Sequence, residues 1–296
     1  MNNEQMTAKV QSGQGFIAAL DQSGGSTPKA LRGYGVEDSA WSGDEAMFAQ
    51  IHAMRSRVIT APSFASGKVI GAILFEKTMD GEVDGLPTPD ALKTRGIVPF
   101  IKVDQGLADE EQGVQLMKPL DKLPALLEKS VAKGMFGTKM RSVIKSANAD
   151  GIASVVAQQF KVGNGIADAG LMPMLEPEFD ITADDREVGE DILLEEIMKG
   201  LDAWPEGRKV MLKLSIPVKP GHYQPAINHP NVLRVVALSG GYSTGDACAH
   251  LAKNPGMIAS FSRGLLQDLR KGQSDAEFDG TLGTAIDEIA AASVAG

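Results

Sequence analysis

Cysteine is almost absent from this chain. Cys248 stands alone, which excludes an intrachain disulfide and fits a reducing compartment. No run of eighteen apolar residues occurs, which excludes a membrane-spanning helix. The opening Met-Asn-Asn-Glu-Gln-Met lacks the basic and apolar regions of a signal peptide, so a cytoplasmic protein is expected. There is no surplus of positive charge. A net charge of −9 argues against general affinity for nucleic acid or anionic membrane. The four histidines, His52, His222, His229 and His250, have no metal-ligand spacing. No metal site and no cofactor are therefore expected. Aromatics are sparse at 5%, yet 43% hydrophobic content over 296 residues is ordinary for a soluble protein with a substantial core.

What is present is organised around Lys209–Pro217. Here Val210, Leu212, Leu214 and Ile216 share one phase of a strand, and Met211, Lys213 and Ser215 share the other. Burying an ammonium in mid-strand costs several kcal/mol unless it is paired or deprotonated. In a barrel of parallel strands the apolar phase packs against helices, and Lys213 points inward near the C-terminal end, where such barrels keep their chemistry. The plain alternative is a salt-bridged strand lysine or an edge-strand charge.

Seven further strands are expected: 15–21, 69–76, 97–104, 135–143, 171–179, 234–240 and 257–263. Helical segments separate them, among them 121–133, 151–169 and 183–203. Ser42 to Glu45 forms a capping-box pattern. Thr88-Pro89-Asp90 opens a short helix that Gly96 closes. No low-complexity segment, linker or repeat interrupts the series. The pattern predicts a single (β/α)8 TIM barrel over 1–296, with 1–14 as an N-terminal extension and 265–296 as C-terminal helices. A doubly wound sheet is the runner-up.

Charges gather at the expected C-terminal strand ends. The acids are Asp21, Glu76, Asp104, Glu176 and Glu178, and the bases are Lys102, Lys139, Arg141, Lys213 and Arg263. In a barrel these converge on one rim, where opposite signs offset desolvation. The set suits a lysine nucleophile. Lys213 could form a Schiff base if its pKa falls, which a second cation such as Lys139 would promote, and Glu176 could shuttle protons. Ser239-Gly240-Gly241, between a strand and a helix, could cradle a phosphate with Arg263. Lys102 and Arg141 could hold a second anion. A bisphosphorylated carbonyl compound would fit.

These residues fall in motifs that resemble the class I fructose-bisphosphate aldolases, in a short bacterial form. The motifs begin with Ala19-Leu20-Asp21-Gln22-Ser23-Gly24-Gly25-Ser26, Ile73-Leu74-Phe75-Glu76 and the run 96–104. They continue with Lys139-Met140-Arg141, Pro173-Met174-Leu175-Glu176-Pro177-Glu178, Leu212-Lys213, Leu238-Ser239-Gly240-Gly241 and Ser262-Arg263. Their order along the chain is that of the family. The resemblance implies reversible cleavage of fructose 1,6-bisphosphate to dihydroxyacetone phosphate and glyceraldehyde 3-phosphate, a lyase reaction of glycolysis and gluconeogenesis.

By the same resemblance, Lys213 matches the Schiff-base lysine and Glu176 the main acid/base, with Glu178 beside it. Asp21 matches the carboxylate that handles the C4 hydroxyl, and Lys139 the lysine that tunes the site. Ser239, Gly240, Gly241 and Arg263 match one phosphate site. Lys102 and Arg141 match residues toward the other phosphate, and Ser23 and Ser26 lie in the first binding motif. The partners implied are small sugar phosphates, with no nucleic acid or membrane; monomer and homo-oligomer both remain open.

Four departures from the family pattern stand out. Lys29-Ala30-Leu31 replaces Lys-Arg-Leu, Met140 an expected tryptophan, and Ser262 a glycine, and no long tail with a terminal tyrosine follows. Relaxed stereospecificity is expected from them. The rivals are another Schiff-base aldolase or transaldolase acting on a monophosphate, and a non-catalytic scaffold or adhesin that keeps the barrel.

Overall fold

The computed structural model describes residues 1–295. Eight strands form the sheet: β1 (Phe16–Leu20), β2 (Val69–Leu74), β3 (Val98–Lys102), β4 (Gly137–Ile144), β5 (Met172–Phe179), β6 (Val210–Ser215), β7 (Val232–Leu238) and β8 (Met257–Ala259). Each pairs in parallel with its successor in chain order. The result is a nearly closed (β/α)8 barrel. At the seam, β1 and β8 share no ladder; the backbone bond from Ala19 N–H to Phe261 O, 3.2 Å, spans it. Helix Asp275–Val294 covers β8 from outside, where the Ala259 amide donates to Ser293 Oγ at 3.0 Å.

The alternation in each strand divides the core in two. On β6, Val210, Leu212, Leu214 and Ile216 join the layer between strands and helices, whereas Met211 joins the interior with Ile17, Phe100, Met174, Val236 and Ile258. Fully burying each such side chain stabilises by about 1.5–3 kcal/mol. That leaves the phase of Met211, continued through Lys213, facing the barrel axis. The lower end is plugged by Met6 and Val10, which belong to helix α1 (Asn3–Ser12). Residues 1–14 are therefore a structural part of the barrel: Asn2 and Gln5 cap the helix reciprocally, and two apolar residues four apart close the floor.

Local expectations are corrected in three places. Helix α3 (Gly43–Thr60) begins where predicted, but the Ser42 side chain makes no cap bond. Strand β8 stops at Ala259, four residues short, because the chain turns there into the short helix Arg263–Leu266. Strand β2 stops at Leu74 and a helix starts directly at Glu76. This turns the Glu76 carboxylate outward to Lys129, 2.5 Å away, so Glu76 does not belong to the rim set. A two-stranded hairpin, Glu82–Val83 with Leu86–Pro87, and a short antiparallel strand, Val114–Gln115, beside β4 complete the sheets.

Candidate active site

A cavity of about 640 Å³ opens at the C-terminal end of the strands. Its floor is a chain of ion pairs from β1, β4, β5 and β6. Lys213 Nζ lies 3.0 Å from Glu176 Oε1, and Lys139 Nζ lies 2.9 Å from Glu176 Oε2. Lys139 also contacts Asp21 Oδ2 at 2.8 Å, with Asp104 Oδ2 farther off at 3.9 Å. The sheet register produces this. Met174 on β5 pairs with Lys139 on one side and with Met211 on the other, so Glu176 and Lys213 each stand two residues beyond that level. Lys139, Glu176 and Lys213 are all buried, and only pairing makes so many charges tolerable there.

Burial alone would raise the pKa of Glu176, but the Lys139 and Lys213 ammoniums overcome it and hold the carboxyl below its ordinary range. Asp21 is shifted the same way, burial again being outweighed by Lys139 and Lys213. Lys139 is pushed above the usual lysine range, because Asp21, Glu176 and Asp104 overcome its desolvation. Asp21 and Glu176 are thus held as carboxylates and Lys139 as a cation, with Glu176 available as a proton acceptor next to Lys213.

On one side of the cleft the residues expected to hold a phosphate come together. Ser239 and Gly240 line the cavity with Arg263. Gly240 has φ +61° and Gly241 φ +126°, and a Cβ on Gly241 would stand 3.7 Å from Arg263 Nη2. The guanidinium therefore lies against the glycine turn, and among the described residues Arg263 has no carboxylate partner. Gly241 itself does not line the cavity.

The other side differs from expectation. Lys102 is absent from the lining. Its Nζ donates to Asp104 Oδ1 at 2.5 Å and to the Asp104 carbonyl at 2.7 Å, a contact between residues two apart. Arg141 lines the cavity but is bonded through Nε to Glu178, whose pKa burial raises against the pull of Arg141. A second anion held by Lys102 with Arg141 is not what the structure offers. Ser26 lines the cavity, whereas Ser23 does not; the two close a turn, the Ser23 amide donating to Ser26 Oγ at 2.9 Å and Ser26 Oγ donating to the Ser23 carbonyl at 2.8 Å.

The remaining cation on that side is Lys29, exposed, on helix α2 (Ser26–Gly33), without a carboxylate partner among the described residues. Ala30, where the family pattern has an arginine, lines the cavity too, as do Met54, Ser260, Leu266 and Gln267, to which sequence reasoning gave no role in the site. Nor did it find Arg55, which is buried beneath the β1 loop. Its signal was visible: an arginine on the same helix face as Ile51, Val58 and Ile59.

A sequence model of the family described as fructose-bisphosphate aldolase class-I matches residues 3–194. Among solved structures, the fructose-bisphosphate aldolase of Plasmodium falciparum superposes with a TM-score of 0.78 at 19% identity, over 99% of this chain and 95% of that one. A Corynebacterium glutamicum protein superposes less well, with a TM-score of 0.56 at 16% identity over 98% of this chain and 92% of that one. At such identities the two structures bear on the fold. The family match spans well over half the chain, from helix α1 through β5 with Asp21, Lys139 and Glu176. This chain belongs to the class-I fructose-bisphosphate aldolase family, a family of lyases.

Proposed function

We propose that the protein cleaves fructose 1,6-bisphosphate to dihydroxyacetone phosphate and glyceraldehyde 3-phosphate, and catalyses the reverse condensation, through an imine on Lys213. The observation that carries this reading is the contact between Lys213 and Glu176 at the head of a buried ion-pair chain ending in Asp21. Attack on the C2 carbonyl requires Lys213 as the neutral amine, and Glu176 at 3.0 Å is placed to take its proton. Returned to the carbinolamine oxygen, that proton lets water leave and the iminium form. Asp21 then accepts the C4 hydroxyl proton as the C3–C4 bond breaks. The bonding pair moves into the iminium to give the enamine, and the aldehyde departs. Protonation at C3 and hydrolysis release dihydroxyacetone phosphate and restore Lys213.

The Ser239–Gly240 turn with Arg263 is assigned to the phosphate of the dihydroxyacetone half. With Lys102 and Arg141 engaged by carboxylates, Lys29 is assigned to the far phosphate. A cytoplasmic role in sugar-phosphate metabolism follows from these substrates; among the described residues no helix is long and apolar enough to cross a membrane.

The test is borohydride reduction with dihydroxyacetone phosphate, with chelator present, followed by peptide mass analysis. A reduced triose-phosphate adduct on Lys213 is expected. No adduct, with turnover abolished by the chelator, would sink the imine mechanism. No adduct and no turnover at all would favour a scaffold role.

A further inference from the structure

The seam of the barrel is where the sheet has least to hold it, and the two ends of the candidate site straddle it. Asp21 leaves β1 on one side, and Arg263 follows β8 on the other. Among the described residues, backbone pairing across the gap is limited to the bond from Ala19 N–H to Phe261 O. Above that bond, the Gln22 side chain crosses the seam, its Nε2 donating to Ser262 Oγ at 2.5 Å and to the Ala19 carbonyl at 3.2 Å.

A primary amide can present either its oxygen or its nitrogen, so something must fix which way Gln22 points. Arg55 does this. Its Nη2 donates to Gln22 Oε1 at 3.2 Å and to the Gln22 carbonyl at 2.5 Å, while Nη1 donates to Thr78 Oγ1 at 2.7 Å. A guanidinium has donors only, so the amide oxygen must face it and Nε2 is left to face Ser262. Arg55 is 1% exposed and has no carboxylate within salt-bridge distance among the described residues. Burial lowers its pKa to about 10, the Asp21 carboxylate acting in the opposite sense. It stays a cation at neutral pH. Burying a charge is costly when a methionine would fill the same space, and the specific return is geometric: one guanidinium ties together the end of β1, Thr78 after β2, and, through Gln22, the residue preceding Arg263.

We infer that Arg55 and Gln22 are positioning residues, a brace across the barrel seam that sets the distance between the Asp21 carboxylate and the Arg263 anion site. Neither needs to touch the reacting atoms. Removing the brace lets the Ser262–Arg263 turn drift from β1, so the phosphate grip and the cleavage base lose register, and misplacement by an ångström is costly in rate. This rests on the aldolase reading for its readout in turnover, though not for its readout in phosphate binding.

The deciding variant is Gln22→Met, which keeps side-chain length at a half-buried position of the cleft wall and removes the amide. Expected are at least a tenfold fall in kcat/KM for fructose 1,6-bisphosphate, a rise in KM of at least fivefold, and inhibition by inorganic phosphate at least fivefold weaker. Arg55→Met is expected to reproduce this, and guanidinium ion added to Arg55→Ala to restore part of it, a rescue that loss of packing alone would not show. Wild-type kcat, KM and phosphate inhibition in Gln22→Met overturn the brace, whatever the Arg55 variants do, including failure to fold. If the wild-type protein forms no imine and turns nothing over, the aldolase reading fails by itself. Calorimetric titration with inorganic phosphate then decides: at least fivefold weaker binding by Gln22→Met supports the brace, and equal binding, or none by either protein, overturns it.

Discussion

Lys139 and Lys213 contact opposite oxygens of the one Glu176 carboxylate, at 2.9 and 3.0 Å. The carboxylate therefore faces two unlike cations. Lys139 is tied to Asp21 as well and is held in its charged form, whereas Glu176 is the carboxylate that Lys213 contacts. A proton moving between Lys213 and Glu176 changes the charge of both, with Lys139 as a fixed counter-charge close by.

Replacing Glu176 with Gln keeps the shape and removes the proton acceptor. On the proposed mechanism kcat falls roughly 10²–10⁴-fold, the usual contribution of a general acid/base. The imine still forms, so slow accumulation of the reducible adduct on Lys213 is expected in a borohydride time course. An adduct that accumulates at the wild-type rate would take Glu176 out of carbinolamine dehydration.

Lys139→Met strands two buried carboxylates without their shared cation. Removing one partner of a buried pair costs about 3–5 kcal/mol, so a clear loss of stability is expected in denaturant titration. The pH dependence of that loss has a defined sign. Asp21 and Glu176 are held below their ordinary values of 3.8 and 4.5, so their contribution is present above those values and disappears as pH falls through the folded ones. Lys139 is raised above 10.5, so its contribution is present below that value and is lost at still higher pH. The stability difference between wild type and Lys139→Met is expected to be largest above the ordinary carboxylate range and below about pH 10, and to shrink toward acid. A difference that grows on acidification would contradict the pairing.

The far phosphate tests the correction to Lys102 and Arg141. Lys29→Ala is expected to raise KM for fructose 1,6-bisphosphate roughly five- to twentyfold, as loss of one exposed charge-assisted contact would. KM for fructose 1-phosphate, which lacks that phosphate, is expected to stay unchanged. Steady-state kinetics on the two substrates separates the cases. Equal effects on both would return the second anion to Arg141, released from Glu178 when substrate binds.

What the sequence made legible follows from the period of a strand. Once Val210, Leu212 and Leu214 are committed to the helix layer, Lys213 has one direction left, and the same argument aims Lys139 and Glu176. Short-range decisions were hidden. Whether Glu76 continues its strand or opens a helix depends on one backbone turn, and that turn sends the carboxylate to Lys129 instead of into the cleft. Lys102 reads as a rim cation until its neighbour two residues on is seen to hold it. Helix α1 presents only Met6 and Val10 to the barrel, too few apolar positions to reveal a plug in a polar segment. Arg55 is a different case: its helix face with Ile51, Val58 and Ile59 marks it as buried, but its partners lie 33 and 23 residues away in the chain, so what it holds could not be read locally.

Gly240 provides a test of the anion turn by shape alone. Its φ of +61° favours glycine, and a Cβ there would stand 2.6 Å from Ile181 Cγ2, closer than side chains tolerate. Gly240→Ala thus adds backbone strain of about 1–2 kcal/mol to a steric clash, both at the residue assigned to phosphate binding. The turn is expected to shift, raising KM for fructose 1,6-bisphosphate and fructose 1-phosphate alike, because the phosphate they share sits there. The two causes can be separated, since the clash lies with a side chain and the strain with the backbone. Ile181→Ala in the Gly240→Ala background removes the clash and leaves the strain, so partial recovery of KM is expected. Full recovery would assign the whole effect to Ile181. No recovery would assign it to the left-handed backbone, which would then be the property that shapes the anion site.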